Sequence, residues 1–156
     1  KYFNINNNNI HGYVMGEHGD SEFICFSKGR IGSETFYNYA KSQNLEWNKE
    51  IEHVIESDVK NAAYEIIERK KATYYAIGLA VNRIVETILR DENSILTVSS
   101  LLQGQYGIND VYLSVPTIVN RNGASKVLEV ELFENEKNKL VESSDIIKKH
   151  LKNCNL

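Results

Sequence analysis

The residues best suited to chemistry lie near the start of the chain, in the string Met15-Gly16-Glu17-His18-Gly19-Asp20-Ser21. Imidazole titrates near neutrality, which makes His18 a candidate proton donor and acceptor. Glycines flank the ring on both sides and carboxylates stand beyond them, so the string reads as a sharp turn. Ile10, Tyr13, Val14 and Met15 before it, and Phe23, Ile24, Cys25 and Phe26 after it, are apolar or β-prone. A turn at a strand end presents a side chain instead of packing it. By residue type alone, a lone histidine in a polar turn is still more often a solvated surface group than a chemical one. His11, Glu17, His18 and Asp20 are also metal-ligand types. Alternation along one strand does not bring all four to one face, and zincin-type spacing is absent, so no metal site is expected.

The elements that must hold this turn follow from periodicity. Residues 10–16 and 22–27 read as two strands around His18, and 28–33, with Gly29 and Gly32, as a loop. Residues 1–9 read as a frayed helix end or an arm, and 37–44 as a short helix. Ile51, Val54, Ile55, Val59, Ala62, Ala63, Ile66 and Ile67 recur at helical spacing, and Ile77, Ala80, Val81, Ile84, Val85, Ile88 and Leu89 repeat the pattern. The break falls near Ala72-Thr73, and the Thr73 hydroxyl suits the N-cap of the second helix. Beyond Asn93 the pattern becomes β-branched and alternating. Strands are expected over 94–102 and 111–119, the latter broken late by Pro116. Asn122-Gly123 is a strong hairpin signal, returning a third strand over 126–133. Residues 134–151 form a charged amphipathic helix with Leu140, Ile147 and Leu151 on one stripe. Local connections make the three strands an antiparallel meander, and the fold class is α+β, antiparallel strands with long helices segregated from them.

Bulk properties narrow the function. The 156 residues suffice for one domain with a buried core. A net charge of −3 disfavours nucleic acid and anionic membrane surfaces as partners. No apolar run spans a bilayer and no signal peptide opens the chain. Cys25 and Cys154 lack metal-type spacing and point to reduced thiols in a cytosolic protein. No glycine-rich phosphate loop follows any strand, so the chain carries no dinucleotide fingerprint of its own. It begins at Lys1, directly in Tyr2-Phe3-Asn4, as though taken from a longer protein.

The string from Met15 to Ser21 resembles the active-site motif of the L-lactate dehydrogenases, an aliphatic residue followed by Gly-Glu-His-Gly-Asp-Ser/Thr. The resemblance continues through Ala72-Thr73-Tyr74-Tyr75-Ala76-Ile77, Asp91-Glu92-Asn93-Ser94, Tyr106-Gly107, Asp110-Val111-Tyr112, Val115-Pro116, Asn120-Arg121-Asn122-Gly123 and Glu136-Lys137. In order and extent, residues 1–156 look like the C-terminal, substrate-binding half of such an enzyme. The resemblance implies a parent that reduces pyruvate to lactate with NADH in fermentative glycolysis. His18 would move the proton at the substrate oxygen, Thr73 would hydrogen-bond the substrate, and Ile77 would pack on the nicotinamide. From residue pattern alone, Thr73 is a helix cap and Ile77 a core residue. His11 matches a histidine that binds fructose 1,6-bisphosphate at a subunit interface in the activated members. As a polar residue at a strand start it has an equally ordinary explanation.

The resemblance has departures. Lys71 replaces the usual glycine before Ala-Thr, and Ile24 and Phe26 replace the usual proline and tryptophan. The Rossmann NAD-binding half, the aspartate that orients the histidine, the arginine that clamps the substrate carboxylate and the mobile loop all precede residue 1 in the family. The isolated chain is therefore expected to be inactive. The resemblance also implies a cytoplasmic homotetramer for the full-length protein, and self-association through an uncovered apolar face for this piece. Two other readings stand beside it: a malate dehydrogenase C-terminal domain, and a non-catalytic oligomerisation or bisphosphate-binding module.

Overall fold

The computed structural model describes residues 2–154; Lys1 of the expected arm lies outside the described residues. The first part of the chain forms short paired strands instead of two longer ones. These are β1 (Ile10–His11), β2 (Val14–Met15), β3 (Phe23–Ile24), β4 (Arg30–Ile31) and β5 (Glu34–Thr35). β2 pairs with β3 across the His18 turn, while β1 turns away to pair with β4, inside the stretch expected to be a loop. β4 in turn pairs with β5, completing a small antiparallel sheet. The expected arm does not fray, because Tyr2 and Phe3 have an aromatic surface to join. Phe3 stacks on Trp47 at 5.2 Å between ring centroids and lies 5.3 Å from Phe36.

Three helices follow: α1 (Phe36–Ser42), α2 (Lys49–Lys70) and α3 (Tyr74–Leu89). Asn48 caps α2 by accepting from Ile51 N–H at 3.0 Å. The helix stops where Lys71 adopts the left-handed conformation, φ 62°. A left-handed C-terminal residue is normally glycine, so Lys71 holds a side chain on a backbone conformation that favours glycine.

The apolar stripe of α2 meets a core only in part: Ile55 packs against the cluster of Phe26, Ile31 and Phe36. Val54, Val59, Ile66 and Ile67 are exposed, and the buried residues are Glu52 and Glu56. Polar partners explain the exchange. Glu52 accepts from Tyr37 Oη, Trp47 Nε1 and Lys49 Nζ at 2.7, 3.0 and 2.7 Å. Lys139 reaches both carboxylate oxygens of Glu56 at 2.8 Å. Burial raises the Glu52 pKa, but the donated hydrogen bonds outweigh it and hold the carboxyl below its ordinary value. α3 also leaves Tyr74, Tyr75, Ile77, Leu79 and Leu89 exposed, burying Thr87 near its end.

The centre of the domain is the meander β6 (Ser94–Gln103), β7 (Asn109–Asn120) and β8 (Gly123–Val127). Val111, Leu113 and Val115 alternate inward on β7 and join Met15, Phe23, Cys25, Leu102 and Leu140 in the main core. β7 runs straight through Pro116. That residue's carbonyl faces β8 and accepts from Leu128 N–H at 2.8 Å, so its missing N–H falls on that side and the β6 ladder is spared. The same feature ends β8 at Val127, because a strand continuing over 128–133 would face a residue that cannot donate back. The third strand therefore starts earlier and stops earlier than its alternation predicts. The final helix, α4 (Glu134–Asn153), lays Leu140, Ser143 and Ile147 on the core and leaves Leu151 exposed.

Candidate active site

The His18 turn is held by three separate parts of the chain. Gly16 forms an isolated bridge to β7, with Gly16 N–H donating to the Ser114 carbonyl at 3.0 Å and Ser114 N–H returning 2.9 Å to Gly16. From α4, Ser143 Oγ accepts from Glu17 N–H at 2.6 Å and lies 2.9 Å from Ser21 Oγ. Ser21 donates its own proton to the Glu17 carboxylate. The Ser143 hydroxyl therefore donates to Ser21, and the chain of bonds is complete. From α2, Lys60 Nζ donates to the Asp20 carbonyl at 2.8 Å.

Gly16 is the residue this backbone favours. Its φ is 102°, and an added Cβ would sit 2.8 Å from Ser143 Oγ. The glycine and the buried serine on α4 are one packing unit, which places the backbone of Glu17 before the ring of His18 is reached.

His18 itself is presented, not packed. Its side chain is 92% exposed, and its Nδ1 lies 3.5 Å from a Glu22 carboxylate oxygen. Beside it is a cavity of about 420 Å³ lined by residues that include Gly12, Met15, Glu17, Glu22, Thr97 and Ser114. A larger, apolar groove of about 1230 Å³ lies between the aromatic cluster and α2, lined by residues that include Phe3, Phe36, Trp47, Val54 and Ile55; its lining holds no histidine. The smaller cavity is the candidate reaction site, because its lining holds His18, a residue type that can carry a proton.

Thr73 is half-buried in the turn between α2 and α3 and occupies the N-cap position of α3, but its hydroxyl makes no capping bond. Its backbone ψ of 20° is not the extended conformation that aims a cap side chain at the helix start. Ile77 is exposed on α3, contrary to the core position its spacing predicts. Neither residue lines the His18 cavity. His11 lies on β1, exposed and directly opposite Arg30 of β4. Among the described residues, no three histidine, cysteine, aspartate or glutamate side chains gather as a metal-holding group. Cys25 and Cys154 are free thiols, and burial pushes the Cys25 thiol up from its ordinary pKa.

Sequence reasoning missed Ser143. The signal for Ser143 was present: a small polar residue three positions after Leu140, on the stripe that faces the core.

With this geometry in place, the relatives can be compared. The whole of residues 1–155 matches the lactate/malate dehydrogenase alpha/beta C-terminal domain. The chain belongs to that family. Among curated relatives, it is 52% identical over 151 residues to L-lactate dehydrogenase 1 of Clostridium acetobutylicum, covering 97% of this chain and 48% of that protein. It is 48% identical over 156 residues to an L-lactate dehydrogenase of Clostridium perfringens, covering 100% and 49%. The chain thus spans about half the length of these relatives. A lactate dehydrogenase from a Medee basin deep-sea metagenome superposes with a TM-score of 0.94 at 39% identity, covering 99% of this chain and 49% of that one. The ligand-bound minor L-lactate dehydrogenase of Enterococcus mundtii gives 0.90 at 38%, covering 96% and 47%. The α+β architecture is that of this lactate/malate dehydrogenase domain, and no helix among the described residues is long and apolar enough to cross a membrane.

Proposed function

We propose that this chain is the substrate-binding and proton-transfer half of an NAD-dependent L-lactate dehydrogenase, acting in the cytoplasm as part of a homotetramer. The observation that carries the reading is the presentation of His18 at the apex of a turn clamped by β7, α2 and α4, within a chain whose relatives are L-lactate dehydrogenases. When bound, NADH supplies the hydride that reaches the carbonyl carbon of pyruvate. His18 gives a proton to the ketone oxygen in that direction and takes it back from lactate in the other. Its protonated ring also stabilises the charge that develops on oxygen. The resemblance assigns the Thr73 hydroxyl, unused as a cap though outside the cavity beside His18, to the substrate, and exposed Ile77 to the nicotinamide. The phosphates of the cofactor and the substrate carboxylate would be held by the rest of the parent protein, so this chain alone does not turn over.

The test joins this chain behind the N-terminal half of the C. acetobutylicum relative and follows NADH absorbance with pyruvate and with oxaloacetate. Pyruvate-dependent oxidation is expected in the fusion, with none by the chain alone. His18→Gln should cost about 10²- to 10⁴-fold, the usual worth of a positioned acid-base group. Preference for oxaloacetate would assign the malate branch instead, and turnover by the chain alone would refute the division of labour.

The cross-strand pairing of His11 with Arg30 supports a second element of the reading, activation by fructose 1,6-bisphosphate. Directly opposed residues project to the same face of a strand pair, so the two basic side chains stand together where a phosphate can meet both. A rise in the melting temperature of the chain with the bisphosphate, lost in His11→Ala, is expected. No shift would leave His11 as an ordinary strand residue and remove the support for a bisphosphate-binding module.

A further inference from the structure

We propose that Glu56 and Lys139 are positioning residues for His18, an ion pair that braces the two helices gripping its turn. The inference rests on the dehydrogenase reading, which makes the placement of that turn matter to proton transfer. The grip has two jaws. From α2, Lys60 Nζ donates to the Asp20 carbonyl at 2.8 Å, and from α4, Ser143 Oγ accepts from Glu17 N–H at 2.6 Å. The two bonds fall on either side of His18. Four residues before each jaw, one turn back along the same helix face, stand Glu56 on α2 and Lys139 on α4. Lys139 Nζ reaches both oxygens of the Glu56 carboxylate at 2.8 Å. Among the described residues, no other side-chain hydrogen bond or ion pair joins α2 to α4.

Burial shows why a brace is needed there. Beyond Glu56, α2 buries no side chain: Lys60 is half-buried and residues 61–70 are exposed throughout. Packing therefore does not fix the part of α2 that carries Lys60, and Glu56 is its last anchored residue. The Glu56 side chain is 11% exposed against 41% for Lys139, so the carboxylate is the fixed end and the lysine comes to it. Lys139 Nζ also stands 5.9 Å from the centre of the Phe23 ring, the buried aromatic that opens β3 just after the turn. A single ammonium on α4 thus meets both α2 and the foot of the turn. Losing the pair frees the α2 jaw to drift from the α4 jaw, which moves Asp20 against Glu17 and the ring between them. The effect is on the backbone that carries His18, not on the charge or tautomer of the ring.

The experiment is hydrogen exchange of single amides in the labelled chain, read by NMR. The variants are Glu56→Gln, Lys139→Met, and the swap that joins Glu56→Lys to Lys139→Glu. Lys139→Met keeps an apolar stem over Phe23 and removes the charge. In each single variant the hydrogen-bonded amides of the turn, Glu17, Gly19 and Glu22, are expected to exchange about two- to fivefold faster, the scale of a partly exposed ion pair. The amides of the β6–β7 ladder should keep their wild-type rates. The swap should return the turn amides most of the way, because it restores a pair with the charges reversed. In the fusion enzyme the single variants should lower kcat by a similar factor, leave KM for NADH unchanged and recover in the swap. Unchanged turn amides in both single variants overturn the proposal, as does equal acceleration in the β6–β7 ladder or a swap no better than either single variant. An active fusion whose kcat stays at the wild-type value in both single variants would remove the positioning role. The exchange rates need no turnover, so a fusion that fails to reduce pyruvate at all would sink the dehydrogenase reading and leave the brace standing.

Discussion

Ser143→Ala is the sharpest test of how the active-site turn is held. Ser143 is fully buried and is the sole side chain among the described residues that links α4 to the backbone of the turn by hydrogen bonds. Removing Oγ leaves Glu17 N–H without its acceptor at 2.6 Å and Ser21 Oγ without an incoming donor at 2.9 Å. A buried donor stripped of its partner costs about 1–3 kcal/mol, and loss of a neutral hydrogen bond adds roughly 0.5–1.5 kcal/mol. Both groups are only part-buried, so water recovers some of this, and a net loss of about 1–3 kcal/mol is expected. For a domain of this size that is a fall in Tm of about 3–8 °C. Urea unfolding followed by circular dichroism should show a lower midpoint with an unchanged slope, which marks a change in stability and not in the extent of structure. Glu142→Ala, on the exposed face one residue away, should stay within about 0.5 kcal/mol. If Ser143→Ala unfolds with the midpoint of the wild type, the turn is held by β7 and α2 alone and the role given to α4 is wrong.

Other outcomes follow from the same geometry. Gly16→Ala should destabilise by about 2–3 kcal/mol, from a positive φ and a Cβ 2.8 Å from Ser143 Oγ. In the double variant with Ser143→Ala the clash is gone, so a double-mutant cycle should show the two losses to be less than additive; strict additivity would mean the residues do not touch. Lys71→Gly should stabilise by about 0.5–1 kcal/mol, since a left-handed backbone at φ 62° is relieved at some cost in unfolded-state entropy. A lower urea midpoint for that variant would show that the Lys71 side chain holds the α2–α3 turn. Glu92 has its carboxyl held down to about 2, from an ordinary 4.5, first by the hydrogen bond from Arg83 and then by that from Ser94. A lowered folded-state value means stability present above pH 4.5 and lost as pH falls toward 2. Arg83→Ala should flatten the pH dependence of the unfolding free energy within that window, and an unchanged slope would remove the ion pair from the account of the α3–β6 junction.

The sequence carried the type of almost every element, because hydrophobic period and turn chemistry are local. It was weakest where a partner elsewhere decided the outcome. The helical spacing of Val54, Val59 and Ile66 is real, yet these residues face outward while Glu52 and Glu56 go in. No periodicity shows that Tyr37, Trp47 and Lys139 wait to satisfy those carboxylates. Pro116 was read as a break because proline cannot donate, but which neighbour loses the donor depends on the side to which its carbonyl points. At the site, the His18 string was legible as residues and as a family motif. Ser143 was not, since its importance lies in reaching a turn more than a hundred residues away in the chain.

The exposure of His18 bears on how such a site is completed. In bulk water the attraction between protonated His18 and charge on a substrate oxygen is screened by a dielectric near 80. Any surface that covers the ring and lowers the effective dielectric toward about 20 strengthens that interaction about fourfold without moving an atom. The same covering would remove the water that competes for both groups. The turn is thus built so that geometry is supplied early, by Gly16, Ser143 and Lys60, and electrostatic strength is supplied late, by whatever closes over the ring. It follows that substitutions at Ser143 should register in the stability of this chain, whereas His18→Gln should leave that stability unchanged and register in turnover by the fusion enzyme. An unfolding midpoint for His18→Gln well below that of the wild type would count against that order.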